Sequence, residues 1–365
     1  MDFQLNEYIT PNFNDEQFMK SPNAILMAAP CDKGAPDNFH ATSIYPEYFK
    51  INGEWLLAKE SRMDCIPIFK NGRIEVVELR NLIKGDLCVV GRTEQAEEGI
   101  YVHTNCFESE YKNSEGIFAF RQGRSRETAF SYDYKRLCQL LQHEKENNGY
   151  VVWILGPACS FDAKGKEGIS KLIQNGYVNA MLAGNAVATH DLEGSFLETA
   201  LGQNIHTQAA HFNGHYNHLD TINSVSRYGS IAKFIEEKNI NDGIIYSCVK
   251  NNVPFVLNGS IRDDGPLPEV LDNVYVGQDA IRAHIKKATT VIGLATVLHT
   301  IAAGNMTPTY RVLEDGTIRP VYFYTVDISE FAVNKLADRG SLAAKGIVTN
   351  VQDFASNLIQ GLSLT

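Results

Sequence analysis

The 365-residue chain contains no CxxC pair, no low-complexity tract and no long block of like charge. Its most apolar stretch, 291–303, is broken by His299 and falls short of the ~20 residues that a bilayer crossing needs. Seven cysteines (Cys31, Cys65, Cys88, Cys106, Cys138, Cys159 and Cys248) are odd in number and scattered, which excludes a disulfide framework and points to reduced thiols in a cytoplasm. The opening MDFQLNEYITPNFNDEQ lacks the basic and apolar regions of a secretory signal. A soluble, cytoplasmic protein is expected, and the Asn258 and Asn305 sequons read as chance. Acidic residues outnumber basic ones, 43 to 33, for a net charge of −10. Such a field repels phosphate backbones, so nucleic-acid binding is not expected. The densest basic stretch, Arg121, Arg124 and Arg126, is short and reads as a solvated loop.

With 44% hydrophobic and 21% charged residues, the composition is that of a globular chain, and its length predicts about two domains. The texture changes near residue 130. Before it, residues 66–70, the turn pair Asn71-Gly72 and residues 74–79 predict a β-hairpin. Residues 86–91 and 99–103 read as a second strand pair. The stretch 108–128 is polar and suits a linker or exposed loop. Residues 133–147, with Tyr134, Leu137, Leu140 and Leu141 at helical spacing before Asn148-Gly149, predict a helix. The expected organisation is an N-terminal β-rich, substrate-facing domain with linker over 1–130, and a second domain over 131–365.

In that second part short apolar runs alternate with amphipathic segments: 151–155, 180–182, 254–257, 291–294, 321–326 and 347–348. Buried runs of this kind predict a parallel sheet covered on both faces, whose ligands bind beyond the carboxyl ends of the strands. The residues found there are Gly156-Pro157-Ala158, Gly184-Asn185-Ala186, the loop 259–266, then 295–299, Asp327 and Thr349-Asn350. Small residues permit close backbone approach, and a strand-end acid can accept hydrogen bonds from ribose hydroxyls. A dinucleotide cleft is one reading, and ordinary turns at a sheet edge are the other. No GxGxxG fingerprint occurs.

Several segments carry a resemblance: Gly184-Asn185-Ala186, His190-Asp191-Leu192-Glu193, 214–219, 251–257, 259–268, 278–284, Gly304-Asn305-Met306, Val326-Asp327-Ile328, 338–341 and, upstream, Arg62-Met63-Asp64. Over roughly residues 30–350 the chain resembles the family once labelled lysine-oxoglutarate reductase/saccharopine dehydrogenase. Its characterised members are the archaeal-type NAD-dependent ornithine cyclodeaminases and the C-terminal part of cyanobacterial arginine-to-proline enzymes. The resemblance implies an α/β fold with a Rossmann-like parallel sheet of the deoxyhypusine-synthase type. It implies conversion of L-ornithine to L-proline and ammonia, with bound NAD recycled in each turnover. A homo-oligomer, specifically a tetramer, is implied as well. The positions it assigns to NAD are Asn185, Ala186, Asp264, Thr296, Val297, Leu298, His299, Asp327, Asn350 and Val351; at 350 the family usually carries Asp. Alternatives are a cyclodeaminase or dehydrogenase for another diamino acid, and a non-catalytic NAD-binding protein.

Candidate proton-transfer groups are the adjacent Asp263 and Asp264, where mutual repulsion would raise one pKa. Loop-capping hydrogen bonds are the alternative. Arg262 offers a planar fork for a substrate carboxylate, or a salt bridge to a neighbouring loop. His211, His215 and His218 would share one face of a helix, but Gly214 interrupts it and no acid or thiol completes a metal motif, so no metal is expected. His215 and His218 are instead candidates for proton transfer or hydrogen bonding. Arg62 and Asp64 would contact the substrate from the first domain, or form a turn-stabilising pair. Cys31 has no positioned base visible in the sequence.

Overall fold

The computed structural model describes residues 3–108, 131–263, 265–337 and 341–364. The basic stretch with Arg121, Arg124 and Arg126, nearly all of the expected linker, and Asp264 lie outside the described residues. After a short helix, α1 (Glu16–Lys20), come β1 (Ile25–Ala28), β2 (Glu47–Ile51), β3 (Glu54–Leu57), β4 (Glu60–Ser61), β5 (Ile66–Lys70), β6 (Arg73–Val77), β7 (Leu87–Val90) and β8 (Ile100–Val102). The predicted hairpin is β5–β6, turning through Asn71 and Gly72 at φ 52° and 76°, the left-handed backbone that this residue pair tolerates. The second predicted pair is not a pair. β7 lies between β1 and β5, whereas β8 pairs with β2 in a separate sheet ordered β3-β2-β8. Alternating burial identifies a strand without naming its neighbour, and Val89 and Ile100 share one core from different sheets.

The remaining elements are α2 (Ser131–Glu146), β9 (Val151–Leu155), α3 (Ala163–Gln174), β10 (Ala180–Gly184), α4 (Asn185–Leu197), β11 (Thr199–Ala200), β12 (Gln203–Asn204), α5 (Asn217–Tyr228), α6 (Ile231–Glu237) and α7 (Ile244–Lys250). They continue with β13 (Phe255–Asn258), α8 (Val274–Ile285), β14 (Thr290–Leu294), α9 (Val297–Met306), β15 (Tyr310–Val312), β16 (Ile318–Pro320), β17 (Tyr322–Asp327), α10 (Glu330–Ala337), β18 (Ala343–Val348) and α11 (Val351–Gly361). The six apolar runs form one parallel sheet ordered β13-β10-β9-β14-β17-β18. Numbered by their place along the chain, these strands run third, second, first, fourth, fifth, sixth, the doubly wound Rossmann order. β9 and β14 are buried along their whole lengths, which is why their sequences are continuously apolar rather than alternating. Trp153, Leu155 and Met181 pack against α2, α3, α4, α7 and α11 on one face; Val152, Ile154 and Phe323 pack against α8 and α9 on the other.

One connection does not respect the two-part division of the sequence. The β15–β16 hairpin leaves the parallel sheet and pairs with β4, Tyr310 opposite Ser61 and Arg311 opposite Glu60. Its Arg319 reaches back to the fully buried Glu144 of α2 in a two-pronged ion pair of 2.7 and 3.0 Å.

Candidate functional site

In a doubly wound sheet the crevice opens where successive connections pass to opposite faces, here between β9 and β14. The Gly156 N–H donates to Leu294 O at 2.8 Å, so the two strand ends run together up to this point. A β-carbon on Gly156 would collide with the Ala295 carbonyl, and Ala295 itself takes φ 54° as its chain turns away. Beyond the carboxyl ends of β9, β10, β13 and β14 lies a cavity of about 510 Å³. Asn185, Ala186, Thr296, His299, His215, His218, Arg262 and Asp263 all line it.

Two helices begin at this cavity. Neither Gly184 before α4 nor Thr296 before α9 caps its helix with a side-chain hydrogen bond, leaving first-turn N–H groups available to an anion. Asn185 ties the neighbouring loop down: its Oδ1 accepts from Leu267 N at 3.1 Å and its Nδ2 donates to Gly265 O at 3.3 Å. His299 fits because Gly184 has no side chain; a β-carbon there would stand 3.0 Å from the imidazole Cε1. Burial lowers the His299 pKa, with the Asp263 charge opposing it.

Asp263 accepts from Ser260 N at 2.7 Å and from Ser260 Oγ at 3.3 Å, closing the turn after β13. This is the loop-capping alternative, and it also holds the carboxylate at the cavity wall. Arg262, an exposed residue of the cavity lining, makes no ion pair among the described residues. The three histidines do not share a helical face. His215 lies in a 3-10 turn over Gly214–Tyr216, His218 in the first turn of α5, and His211 is engaged with Phe212 O away from the cavity. The turn exists because Gly202 and Gly214 pack backbone to backbone, with no room for a β-carbon on Gly214.

Other expected site residues lie elsewhere. Asp64 is exposed at φ 61°, its N–H donates to Thr42 O, and the carboxylate that pairs with Arg62 is that of Glu78 instead. The buried Arg62 donates to Asn305 O at 3.0 Å and pairs with Glu78, whose Oε1 also lies 2.5 Å from Arg282 Nε. It lines a different cavity, about 570 Å³, together with Leu298. Val297 points outward, 38% exposed. Asp327 ends β17 and accepts from Ser329 N at 2.9 Å. Asn350 caps α11 by accepting from Asp353 N at 2.7 Å, and Val351 is buried in the core. The strand-end expectation covered the whole carboxyl edge, whereas the cavity occupies the part on the β13 side of β14.

Sequence reasoning passed over two cavity residues as site groups, His190 and Asn258, and with them Glu193, buried behind His190. His190 lines the cavity from α4, and its Nδ1 lies 2.9 Å from Glu193 Oε2. The available signal was an H-x-x-E spacing, one helical turn, beginning four residues after Ala186 in the same helix. Asn258 ends β13 at the cavity, its Oδ1 buried against Gly277 without a hydrogen bond.

Comparison with known proteins agrees with this architecture. Residues 135–358 match the family profile described as arginine dihydrolase ArgZ-like, C-terminal, Rossmann fold. The chain is 37% identical over 330 residues to the ornithine cyclodeaminase of Archaeoglobus fulgidus, spanning 90% of this chain and 76% of that protein. It superposes on a conserved LOR/SDH protein from Methanococcus maripaludis with a TM-score of 0.83 at 33% identity, covering 94% of this chain and 98% of that one. It also matches AgrE, the bifunctional arginine dihydrolase/ornithine cyclodeaminase of Nostoc, in its ternary complex with ornithine and NAD+, with a TM-score of 0.58 at 34% identity. That match covers 94% of this chain and 46% of AgrE. With identity above a third over nine-tenths of its length, and the same doubly wound sheet, the chain belongs to the ornithine cyclodeaminase family.

Proposed function

We propose that the protein is an NAD-dependent ornithine cyclodeaminase, converting L-ornithine to L-proline and ammonia and reusing its cofactor in every turnover. The observation that carries the reading is the cavity at the switch point, where two uncapped helix N-termini meet a wall of polar side chains. AgrE, a relative in the same family, binds ornithine and NAD+ together. The residues fit a dinucleotide. The first turns of α4 and α9 suit its pyrophosphate, as helix N-termini do generally. Asn185, Ala186, Thr296 and His299 flank that position. Val297, Leu298, Asp327, Asn350 and Val351 extend the same carboxyl edge past the cavity, with Asp327 suited to ribose hydroxyls. NAD, when bound, accepts a hydride from the substrate α-carbon and later returns it.

The chain's own side chains do the rest. Arg262 takes the substrate carboxylate, for which its planar fork is suited. Asp263 supplies negative charge at the cavity wall for the amino groups of the substrate, and its sequence neighbour Asp264 is a candidate for the same part. His215 and His218 complete a polar wall able to hydrogen-bond the chain between those groups. Holding amine and imine together in one pocket makes ring closure intramolecular, worth several kcal/mol of barrier. Arg62 has a different task, joining the first part of the chain to α9 and α8.

The protein is further proposed to be a cytoplasmic homo-oligomer, a tetramer. All seven cysteines are free, and among the described residues no helix is long and apolar enough to cross a membrane. Val274, Leu298, Ile328 and Phe331, each at least 74% exposed, lie at or just before the starts of α8, α9 and α10, apolar side chains that a contact between copies would cover.

Mass spectrometry of products from the as-purified protein tests the activity, using ornithine, lysine, diaminobutyrate and arginine. Proline and ammonia in equal amounts from ornithine, without net NADH, are expected. Steady NADH accumulation would indicate a dehydrogenase, and NAD binding with no ammonia from any of the four would leave a non-catalytic protein.

A further inference from the structure

We propose that His190 carries the proton between the two nitrogens of the substrate, with Glu193 as its positioning residue; this rests on the cyclodeaminase reading above. The distinguishing observation is how the buried acids are paired and where: Glu47 also meets a buried histidine, His40, but in the first part of the chain, and His40 does not line the cavity. Glu144 has Arg319. Asp191 has Lys166 and accepts from Ile244 N and Ile245 N, starting α7. Both serve structure. Glu193 is fully buried, and its titratable partner among the described residues is a histidine on a cavity wall. A wholly buried carboxylate without a permanent cation is costly, and the structure retains one here.

Its remaining contact fixes its orientation. Glu193 Oε1 accepts from Thr199 Oγ1 at 2.8 Å, and that oxygen accepts in turn from Asn217 Nδ2 at 2.8 Å. Phe161 stands edge-on to the His190 ring at 5.6 Å and the His218 ring lies 6.0 Å away, so the imidazole is held on several sides. With Nδ1–H donated to Glu193, Nε2 is the lone-pair nitrogen, and it has no hydrogen bond among the described residues. The arrangement is that of a carboxylate orienting a general base.

The chemistry needs such a shuttle. Once the α-carbon is an iminium, the uncharged δ-amine bonds to it and the C=N π pair moves onto the α-nitrogen. The new ring nitrogen now carries the positive charge and an excess proton. His190 Nε2 takes that proton and gives it to the α-nitrogen, whose bond to carbon breaks with its electron pair as ammonia leaves. The ring nitrogen's lone pair forms the cyclic C=N, and His190 ends as it began, so no outside acid or base is consumed.

Two variants and one spectrum decide. His190→Ala is expected to retain NAD while ammonia release from ornithine falls by roughly 100-fold or more, with added imidazole restoring part of it. In wild-type protein with 15N-labelled histidine, NMR should show His190 protonated at Nδ1 and bare at Nε2. Glu193→Gln, whose amide can donate to Nδ1, should shift that tautomer balance and lower turnover without loss of NAD. Activity of NAD-loaded His190→Ala within about threefold of wild type would overturn the inference, as would a wild-type ring protonated at Nε2; the spectrum decides if His190→Ala does not fold. A wild-type protein with the expected tautomer but no proline would fail the cyclodeaminase reading instead.

Discussion

At Gly156 a hydrogen atom in place of a side chain keeps the crevice open. The strand end of β9 touches the backbone after β14, and any β-carbon would meet the Ala295 carbonyl oxygen, with Thr296 Cβ 3.1 Å away. Neither obstacle is the free end of a flexible side chain, so the backbone itself would have to move. Gly156→Ala should therefore cost about 1–3 kcal/mol and spread the two strand ends. Thermal unfolding with and without NAD reads both effects: a lower Tm and a smaller upward shift from the cofactor. An unchanged protein would show that the close approach is dispensable. Gly53 and Gly72 make the contrast, since a β-carbon at either meets nothing within 4 Å. The residue scale is also where the sequence was least legible. Small residues after strands marked the crevice, but position near a strand end did not by itself separate His190, which lines it, from Asn350, which caps a helix. Both follow or lie near a strand end, and only the third dimension separates a wall from an edge.

Elements were read more reliably than their neighbours. β9, β14 and β17 match the apolar runs to within a residue because burial on both faces writes itself into the sequence as an unbroken run. The β5–β6 hairpin was legible for a different reason, since Asn-Gly favours the left-handed turn the strands require. By the same chemistry Asn52-Gly53 joins β2 to β3, at φ 52° and 88°. The pairing of β15 with β4 left no local trace, because it joins segments far apart in the chain and depends on tertiary placement. That hairpin is fastened by Arg319 on Glu144, which also accepts from Thr290 Oγ1 at 2.7 Å. Arg319→Met would strand a buried carboxylate and should destabilise the protein by about 3–5 kcal/mol. Urea unfolding is the measurement, and Arg319→Met combined with Glu144→Leu should recover much of the loss. If the double variant is no better than the single, the pair is not the fastening.

For the whole molecule, the net charge of −10 says little about a site lined by Arg262, His215, His218 and Asp263. Charge matters more at the junction of the two parts, where Arg62 and Arg282 converge on Glu78 while Arg80 pairs with Asp279 at 2.6 Å. Beyond that junction the exposed apolar side chains at the carboxyl edge bear on assembly. Phe331→Glu should lower the oligomeric state seen by light scattering after gel filtration. An unchanged mass would place the contact between copies elsewhere.

The alignment of Tyr310 with Ser61 also has a consequence for synthesis. About 250 residues separate the two strands, and at 5–20 residues per second a ribosome needs on the order of 12–50 seconds to make them. For that interval β4 has an open edge, so the nascent first part waits, incomplete, for a hairpin that is not yet made.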